Sequence, residues 1–307
     1  MDIHQIEYIV RLADTQSLTK TAEEMFISPS ALSQHLSKLE KELGTTLFKR
    51  IKHEWPLTEA GKVYVEAARD IIKRFRQMKK DISDIAACES GVIHIGISSI
   101  KSSQMFARVF PKFNQRYPNI KLKLVDASAR AVNMLAEQGL LDMAFSTTGF
   151  DHPGLAFQVL LNERFVLSVP KTHRLARLAK KTRKGKLATV DLCLFKDEPF
   201  ILSSPDLTTR VATDKMFNEA GFIPTILFEL NAKALYNLVE SGCGISIIPM
   251  GNIRKNSASV YFLTNPLGEW DNIVAYAKAS RLSRAEEYFI TLAKEFFETE
   301  YGYLSSM

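Results

Sequence analysis

The sequence predicts an all-helical N-terminal part, a winged helix-turn-helix with a long helix behind it, followed by an α/β part built on parallel strands. Three observations predict this. Residues 17–50 hold two short helical patterns with clear start and stop signals. Residues 64–85 carry apolar or small side chains at alternating spacings of four and three. After Glu89-Ser90-Gly91 the pattern changes to short apolar strands alternating with helical segments.

The elements follow in order. Ile3, Ile6, Ile9, Val10 and Ala13 make one face of a first amphipathic helix. Ser17 caps a second, with Leu18, Ala22 and Met25 inward. Ser28 caps a third, with Pro29 at the first helical position, where a missing N–H costs nothing. Leu32, Leu36, Leu39 and Leu43 recur at helical spacing, and Gly44 ends the run. Two helices joined by a short turn, the second presenting small polar residues outward, describe a helix-turn-helix. Hydroxyls, amides and amines on such a face can reach base edges in a major groove. The groove candidates are Ser28, Ser30, Ser33, Gln34 and Lys38, with Ser28 also the cap. His35 is expected to pack rather than read bases. Residues 47–57 form a short extended pair with a basic tip, where Arg50, Lys52 and His53 are the candidates for phosphate or minor-groove contact.

Thr58 and Glu59 open a long helix. Tyr64, Ala68, Ile71, Phe75, Met78, Ile82 and Ile85 fall at gaps of 4, 3, 4, 3, 4 and 3, a heptad seam. At ~1.5 Å per residue the helix is roughly 45 Å long. Its narrow stripe has little to bury within one chain, so it is read as a coiled-coil dimerisation element. A two-fold would set two recognition helices on half-sites one turn, ~34 Å, or more apart.

The α/β part starts with a strand over 92–97 and a polar loop, then a helix with Phe106, Val109, Phe110 and Phe113. Strands follow at 120–124 and 141–145, with a helix through Met134 and Leu135 between them, a βαβαβ order that implies a parallel sheet. Further strands are predicted at 165–169, 200–202, 225–230, 244–248, 259–263 and 273–278. Helices are predicted at 206–220 and 232–240, and one carrying Ala285, Tyr288, Phe289, Leu292 and Phe296 closes the chain. Helix N-termini at the carboxyl ends of parallel strands converge on a cleft. The ligand candidates there are Ser98, Ser99, Lys101, Ser102 and Ser103 at the first loop, Ser128 and Arg130 at the second, and Ser146 and Thr147 at the third. Ser203, Ser204 and Asn231 belong to the second set of strands. Hydroxyls at helix starts suit a small anion, often a carboxylate.

Composition excludes more than it identifies. The 307 residues, 46% hydrophobic and 24% charged, are those of an ordinary globular protein. The net charge of +6 permits a nucleic-acid partner, yet residues 1–90 carry fourteen basic and fourteen acidic side chains. Residues 171–186, with eight Lys or Arg and no acid, read as a solvated loop. Cys88, Cys193 and Cys243 lack a C-x-x-C spacing and read as reduced, buried structural thiols, with redox sensing as the alternative. No dinucleotide fingerprint, P-loop, H-E-x-x-H or G-x-S-x-G occurs, so neither catalysis, a cofactor nor a metal is expected. No apolar run approaches the ~20 residues of a membrane span, and the N-terminus lacks a signal-like apolar core, so the expected compartment is the cytoplasm.

The stretch S-L-T-K-T-A-E-E-M-F-I-S-P-S-A-L-S-Q-H-L-S-K-L-E-K-E-L-G-T-T-L-F-K-R, followed by P-L-T-E-A-G, resembles the N-terminal signature of LysR-type transcriptional regulators. Ala22, Leu32-Ser33, Leu39-Glu40, Leu43-Gly44, Leu47-Phe48, Arg50 and Leu57-Thr58-Glu59-Ala60-Gly61 carry the match. S-G-C-G-I-S-I-I-P late in the chain extends it to full length. Gln34 departs from it, since the family often has a basic residue there. The resemblance implies a DNA-binding domain at 1–57, a linker helix at 58–90, and an effector domain at 91–307 like a periplasmic solute-binding protein. That domain would have two α/β lobes, about 91–163 plus 268–300 and about 164–267, joined by crossovers near 162–165 and 264–270. It also implies a small-molecule effector between the lobes, assembly as a dimer of dimers, and the transcription machinery as a further partner. A constitutive DNA-binding protein, its C-terminal domain serving oligomerisation alone, is the competing expectation.

Overall fold

The computed structural model describes residues 2–51, 54–85, 90–149, 151–181, 187–254 and 256–306. The chain divides near residue 89 into two compact units.

The N-terminal unit is helical. α1 (Ile3–Thr15) is capped by Asp2 and buries Ile6, Ile9, Val10 and Leu12. α2 (Leu18–Glu24) starts where the Ser17 side chain accepts from the Lys20 amide. α3 (Pro29–Leu43) starts where Ser28 accepts from the Ala31 amide at 3.1 Å, and Gly44, at φ 69°, ends it. Antiparallel bridges Phe48–Leu57 and Ile51–Glu54 make the wing. A carboxylate from α3 anchors it: Glu40 accepts from the Leu47 amide at 2.7 Å and from Phe48 at 3.3 Å. α4 (Glu59–Ile85) follows, with the Thr58 hydroxyl accepting from the Gly61 amide at 2.9 Å. Gly61 is required by contact, because a Cβ there would lie 2.0 Å from the Leu47 carbonyl oxygen.

α4 corrects the expectation that its stripe has little to bury within the chain. Val65, Ala68 and Ile72 pack into the core formed by α1, Leu36, Leu47 and Phe48, with Tyr64 at its edge. Two of the seam residues, Tyr64 and Ala68, therefore belong at least partly to the chain's own core. Ile71, Met78 and Ile82 remain 46%, 45% and 56% exposed, and Phe75 is half-buried. The physical reason is that α4 carries two adjacent apolar faces, which a heptad count merges. The Ile85 side chain lies outside the described residues.

The C-terminal unit has two lobes joined by shared strands. In the first, β1 (Ser90–Ile97) pairs in parallel with β2 (Asn119–Asp126) and β3 (Met143–Thr147). α5 (Ile100–Arg116) and α6 (Ala129–Glu137) connect them. β4 (Leu155–Pro170) is one 16-residue strand that serves both lobes. The second lobe adds β5 (Ala188–Asp191), β6 (Pro199–Ser203), α7 (Thr208–Ala220), β7 (Thr225–Leu230), α8 (Ala232–Glu240), β8 (Ser246–Pro249) and β9 (Ser259–Asn265). The chain then returns through β10 (Glu269–Ala277) and ends on α9 (Arg284–Tyr301). β4 pairs with β10 over 155–164 and with β8 and β9 over 165–170, so it changes lobe near Glu163. The return crossover is the short link between β9 and β10. Residues 155–164 and β5 lie outside the predicted strands; the first carries its apolar residues on a half-covered edge, which blurs the alternation.

Phe113, Phe145 and Phe289 centre the first lobe's core, under α5 and α9. Phe165, Phe200, Phe217 and Phe262 centre the second.

Candidate nucleic-acid interface and ligand cleft

Capping and exposure build the nucleic-acid face. Ser28, Ser30, Gln34 and Lys38 are exposed along α3, while Ser33 is half-buried. Ser28 and Ser30 lie hydroxyl to hydroxyl at 3.0 Å while Ser28 also holds the cap. His35 is half-buried with its ring 5.7 Å from that of Tyr8, a packed position as expected. On the wing, Arg50 lies over Trp55 at 5.2 Å, and Trp55 meets Phe48 edge-on. Stacking on an aromatic face limits the guanidinium's freedom while leaving its donors directed outward. Lys52 and His53 lie outside the described residues. Sequence reasoning missed Phe26, 94% exposed in the turn before α3 with a left-handed φ of 56°. No periodicity marks a turn residue.

The candidate ligand residues lie at strand ends. Ser98 closes β1, and its hydroxyl donates to the Phe145 carbonyl of β3 at 3.2 Å. Ser99 caps α5 by accepting from the Ser102 amide at 3.1 Å. Ser102 in turn accepts from the Ser99 amide at 2.9 Å and is buried. Lys101, Ser102 and Ser103 thus lie in the first turn of α5 rather than in the loop before it. Ser128 caps α6 through the Ala131 amide at 3.3 Å, with Arg130 exposed in the helix's first turn.

At the end of β3, Thr147 reaches across to the second lobe, its hydroxyl 2.8 Å from that of Thr208 at the start of α7. Ser203 accepts from Thr209 at 2.7 Å. Arg210 donates to the Ser203 carbonyl at 3.1 Å and pairs with Asp214 and Glu229. Burial opposes the charge of Arg210, but the two carboxylates outweigh it and hold its pKa above the usual arginine value. Thr147 and Ser203 are therefore brought together with Thr208 and Thr209, which sequence reasoning did not select, while Ser98, Ser99 and Ser102 form their own hydrogen-bonded group at the start of α5. Thr-Thr-Arg at the start of a helix following a strand was the available signal.

Three of the expected residues serve otherwise. Lys101 is 6% exposed and its ammonium is held by the fully buried Glu163 at 2.9 Å, so its charge is already matched. Ser146 donates to Asn133 at 2.6 Å within the first lobe and is buried. Asn231 is exposed and occupied in capping α8, accepting from Ala234 at 3.0 Å. Ser204 is half-buried, with its amide bonded to Leu230.

The thiol expectation is also corrected: Cys193 and Cys243 are exposed, not buried. The Cys193 thiol donates to the Ala220 carbonyl, and local desolvation followed by the Asp191 carboxylate push its pKa up, away from a reactive thiolate. Cys88 lies outside the described residues. Among the described residues no group of His, Cys, Asp and Glu is arranged to hold a metal, and no helix is long and apolar enough to cross a membrane.

Comparison with known proteins bears on both units. Residues 3–62 match the bacterial regulatory helix-turn-helix protein, lysR family, and residues 87–298 match the LysR substrate binding domain. The chain is 27% identical over 306 residues to an uncharacterized HTH-type transcriptional regulator, YcgK of Bacillus subtilis, covering 96% of this chain and 94% of that one. It is 26% identical over 251 residues to the HTH-type transcriptional regulator BenM of Acinetobacter baylyi, covering 81% and 80%. In fold it is similar to full-length OxyR from Pseudomonas aeruginosa, with a TM-score of 0.67 at 20% identity over 96% of this chain and 98% of that one. It is also similar to full-length CbnR solved with its target DNA, with a TM-score of 0.56 at 18% identity over 96% and 99%.

Proposed function

The chain belongs to the LysR family of DNA-binding transcriptional regulators, and from that premise we propose that it is a ligand-responsive regulator in which a small molecule bound between the two lobes changes operator binding. The observation that carries the ligand half is the hydroxyl pair Thr147–Thr208, which joins the end of β3 in the first lobe to the start of α7 in the second, with Ser98 bonded to β3 two residues before Thr147 and Ser99 and Ser102 at the start of α5. Hydroxyls gathered there from both lobes can exchange their mutual bonds for bonds to a ligand. A ligand bound at such a junction has different affinities for different lobe placements, which is what a population shift requires. Because Lys101 is already paired, recognition at the first loop rests on hydroxyls and the α5 N-terminus. An anionic group remains compatible with that donor set.

On the DNA side, Ser30, Ser33, Gln34 and Lys38 address the major groove. Arg50, with Lys52 and His53 beside it in sequence, addresses the backbone or minor groove. Ile71, Met78 and Ile82 on α4 supply an exposed apolar stripe for a second copy. That copy would place two α3 helices on one two-fold, and two such dimers would form the tetramer. The protein acts by binding rather than catalysis, in the cytoplasm, with duplex DNA, itself and the transcription machinery as partners.

The test uses the full-length protein. Duplex affinity is measured by anisotropy against salt, and a thermal-shift screen is run with small carboxylates and amino acids. A ligand at about 100 times its Kd adds ~2.7 kcal/mol to stability. Ser99→Val is expected to abolish the ligand shift while leaving duplex binding intact. Salt-independent duplex binding would refute the DNA half. A ligand that stabilises Ser99→Val and the parent equally would refute the cleft.

A further inference from the structure

Glu163 accepts more than an ion pair requires. Lys101 Nζ lies 2.9 Å from Oε1 and 3.0 Å from Oε2. Trp270 Nε1 donates to Oε2 at 3.0 Å and Asn272 Nδ2 at 3.1 Å. The Gly251 amide donates to Oε1 at 2.7 Å. The carboxylate itself is fully buried.

These donors come from different bodies. Lys101 is on α5 in the first lobe. Gly251 follows β8 in the second. Trp270 and Asn272 are on β10, where the chain returns, and Glu163 is on β4, where it leaves. Any other residue at 251 would push on the ion pair itself, since a Cβ there would lie 2.8 Å from both Glu163 Oε1 and Lys101 Cε.

A buried ion pair is a poor stability device, because desolvating two charges offsets most of their attraction. Its better attested use is to specify one arrangement over others. We propose that Glu163 is a positioning residue that latches the two lobes together at their crossovers, with Lys101 as its counter-ion rather than a ligand-binding cation. Rotation of the second lobe away from the first separates Gly251 from Lys101, and one carboxylate cannot follow both. A lobe movement must therefore break a bond to a fully buried charge, so the latch favours one lobe placement whichever ligand fills the cleft.

Two double variants test this, Lys101→Met with Glu163→Gln and Lys101→Met with Glu163→Leu. Neither leaves a buried charge, and thermal melts confirm folding. Gln keeps an acceptor for Gly251; Leu does not. Nitroxides replace Lys121 and Lys215, one on each lobe, in full-length protein whose native cysteines are changed to serine, and the interlobe distance is read by pulsed electron resonance. The Gln variant is expected to keep the parent distribution. The Leu variant is expected to broaden it, with Gly251 amide exchange at least about tenfold faster. Identical distributions in the two variants, whatever their melting temperatures, would mean packing alone and overturn the latch. Unprotected exchange at Gly251 in the parent chain would overturn it without any variant.

Discussion

Gly61→Ala puts two physical effects in direct opposition. Gly61 lies in the first turn of α4, where helix propensity alone makes alanine better by up to ~1 kcal/mol. Its surroundings give the other sign. The new Cβ would sit 2.0 Å from the Leu47 carbonyl oxygen and 3.0 Å from both the Leu47 carbonyl carbon and Leu57 Cδ2. An ordinary carbon–oxygen contact is more than an ångström longer, so the start of the wing must move off α4. The Leu47 oxygen also accepts from the Thr58 amide at 2.9 Å and from its hydroxyl at 3.2 Å. Moving it loosens both bonds, at about 1 kcal/mol each. Overpacking contributes a further ~1–3 kcal/mol. After the propensity gain, the net expectation is a loss of about 2–4 kcal/mol, read as a lower urea midpoint. Duplex affinity should also fall where the protein is still folded, because Arg50 is carried on the displaced wing. An unchanged or raised midpoint would refute the steric argument.

Further outcomes are expected elsewhere. Ile71→Glu with Ile82→Glu leaves the single-chain fold intact, since both side chains are about half exposed, but removes the α4 pairing and lowers the assembly's mass in sedimentation velocity; an unchanged mass would exclude this stripe as the interface. Gln34→Ala lowers discrimination at one base position by about 1–3 kcal/mol, measured on single-base operator variants; equal loss on operator and random duplex would sink its assignment as a base reader. Burial, then the Glu163 charge, raise the Tyr236 pKa above its ordinary value. The phenol must therefore stay protonated in the fold, and its contribution is full below the unfolded value near pH ~10 and declines as pH rises above it. Tyr236→Phe should flatten that alkaline decline in urea midpoints; parallel curves for the two proteins would show that another group controls it.

Much of the DNA-reading unit is legible locally. Ser17, Ser28, Pro29 and Gly44 mark helix ends through the chemistry of one or two neighbouring residues, and the structure places caps and stops where they predict. The βαβαβ order is legible for the same reason. The ligand candidates were less so. Ser98, Ser99 and Thr147 end up at strand ends or helix starts, and Thr147 bonds across to the second lobe, but Lys101, Ser146 and Asn231 have the same local signature and are held by Glu163, Asn133 and the α8 start. A serine that caps and a serine that binds look alike in one dimension.

The sequence by itself determined the order of elements, the outward polar face of α3, and the family, because these depend on spacing along the chain. Only the tertiary structure decided which apolar residues of α4 face inward, that Gly61 abuts the Leu47 carbonyl, and that Thr147 meets Thr208. It alone showed Lys101 matched by Glu163, sixty-two residues away in sequence. The reason is physical: a charge's availability and a side chain's burial are set by whatever packs against it, and those partners come from distant segments that no local pattern encodes.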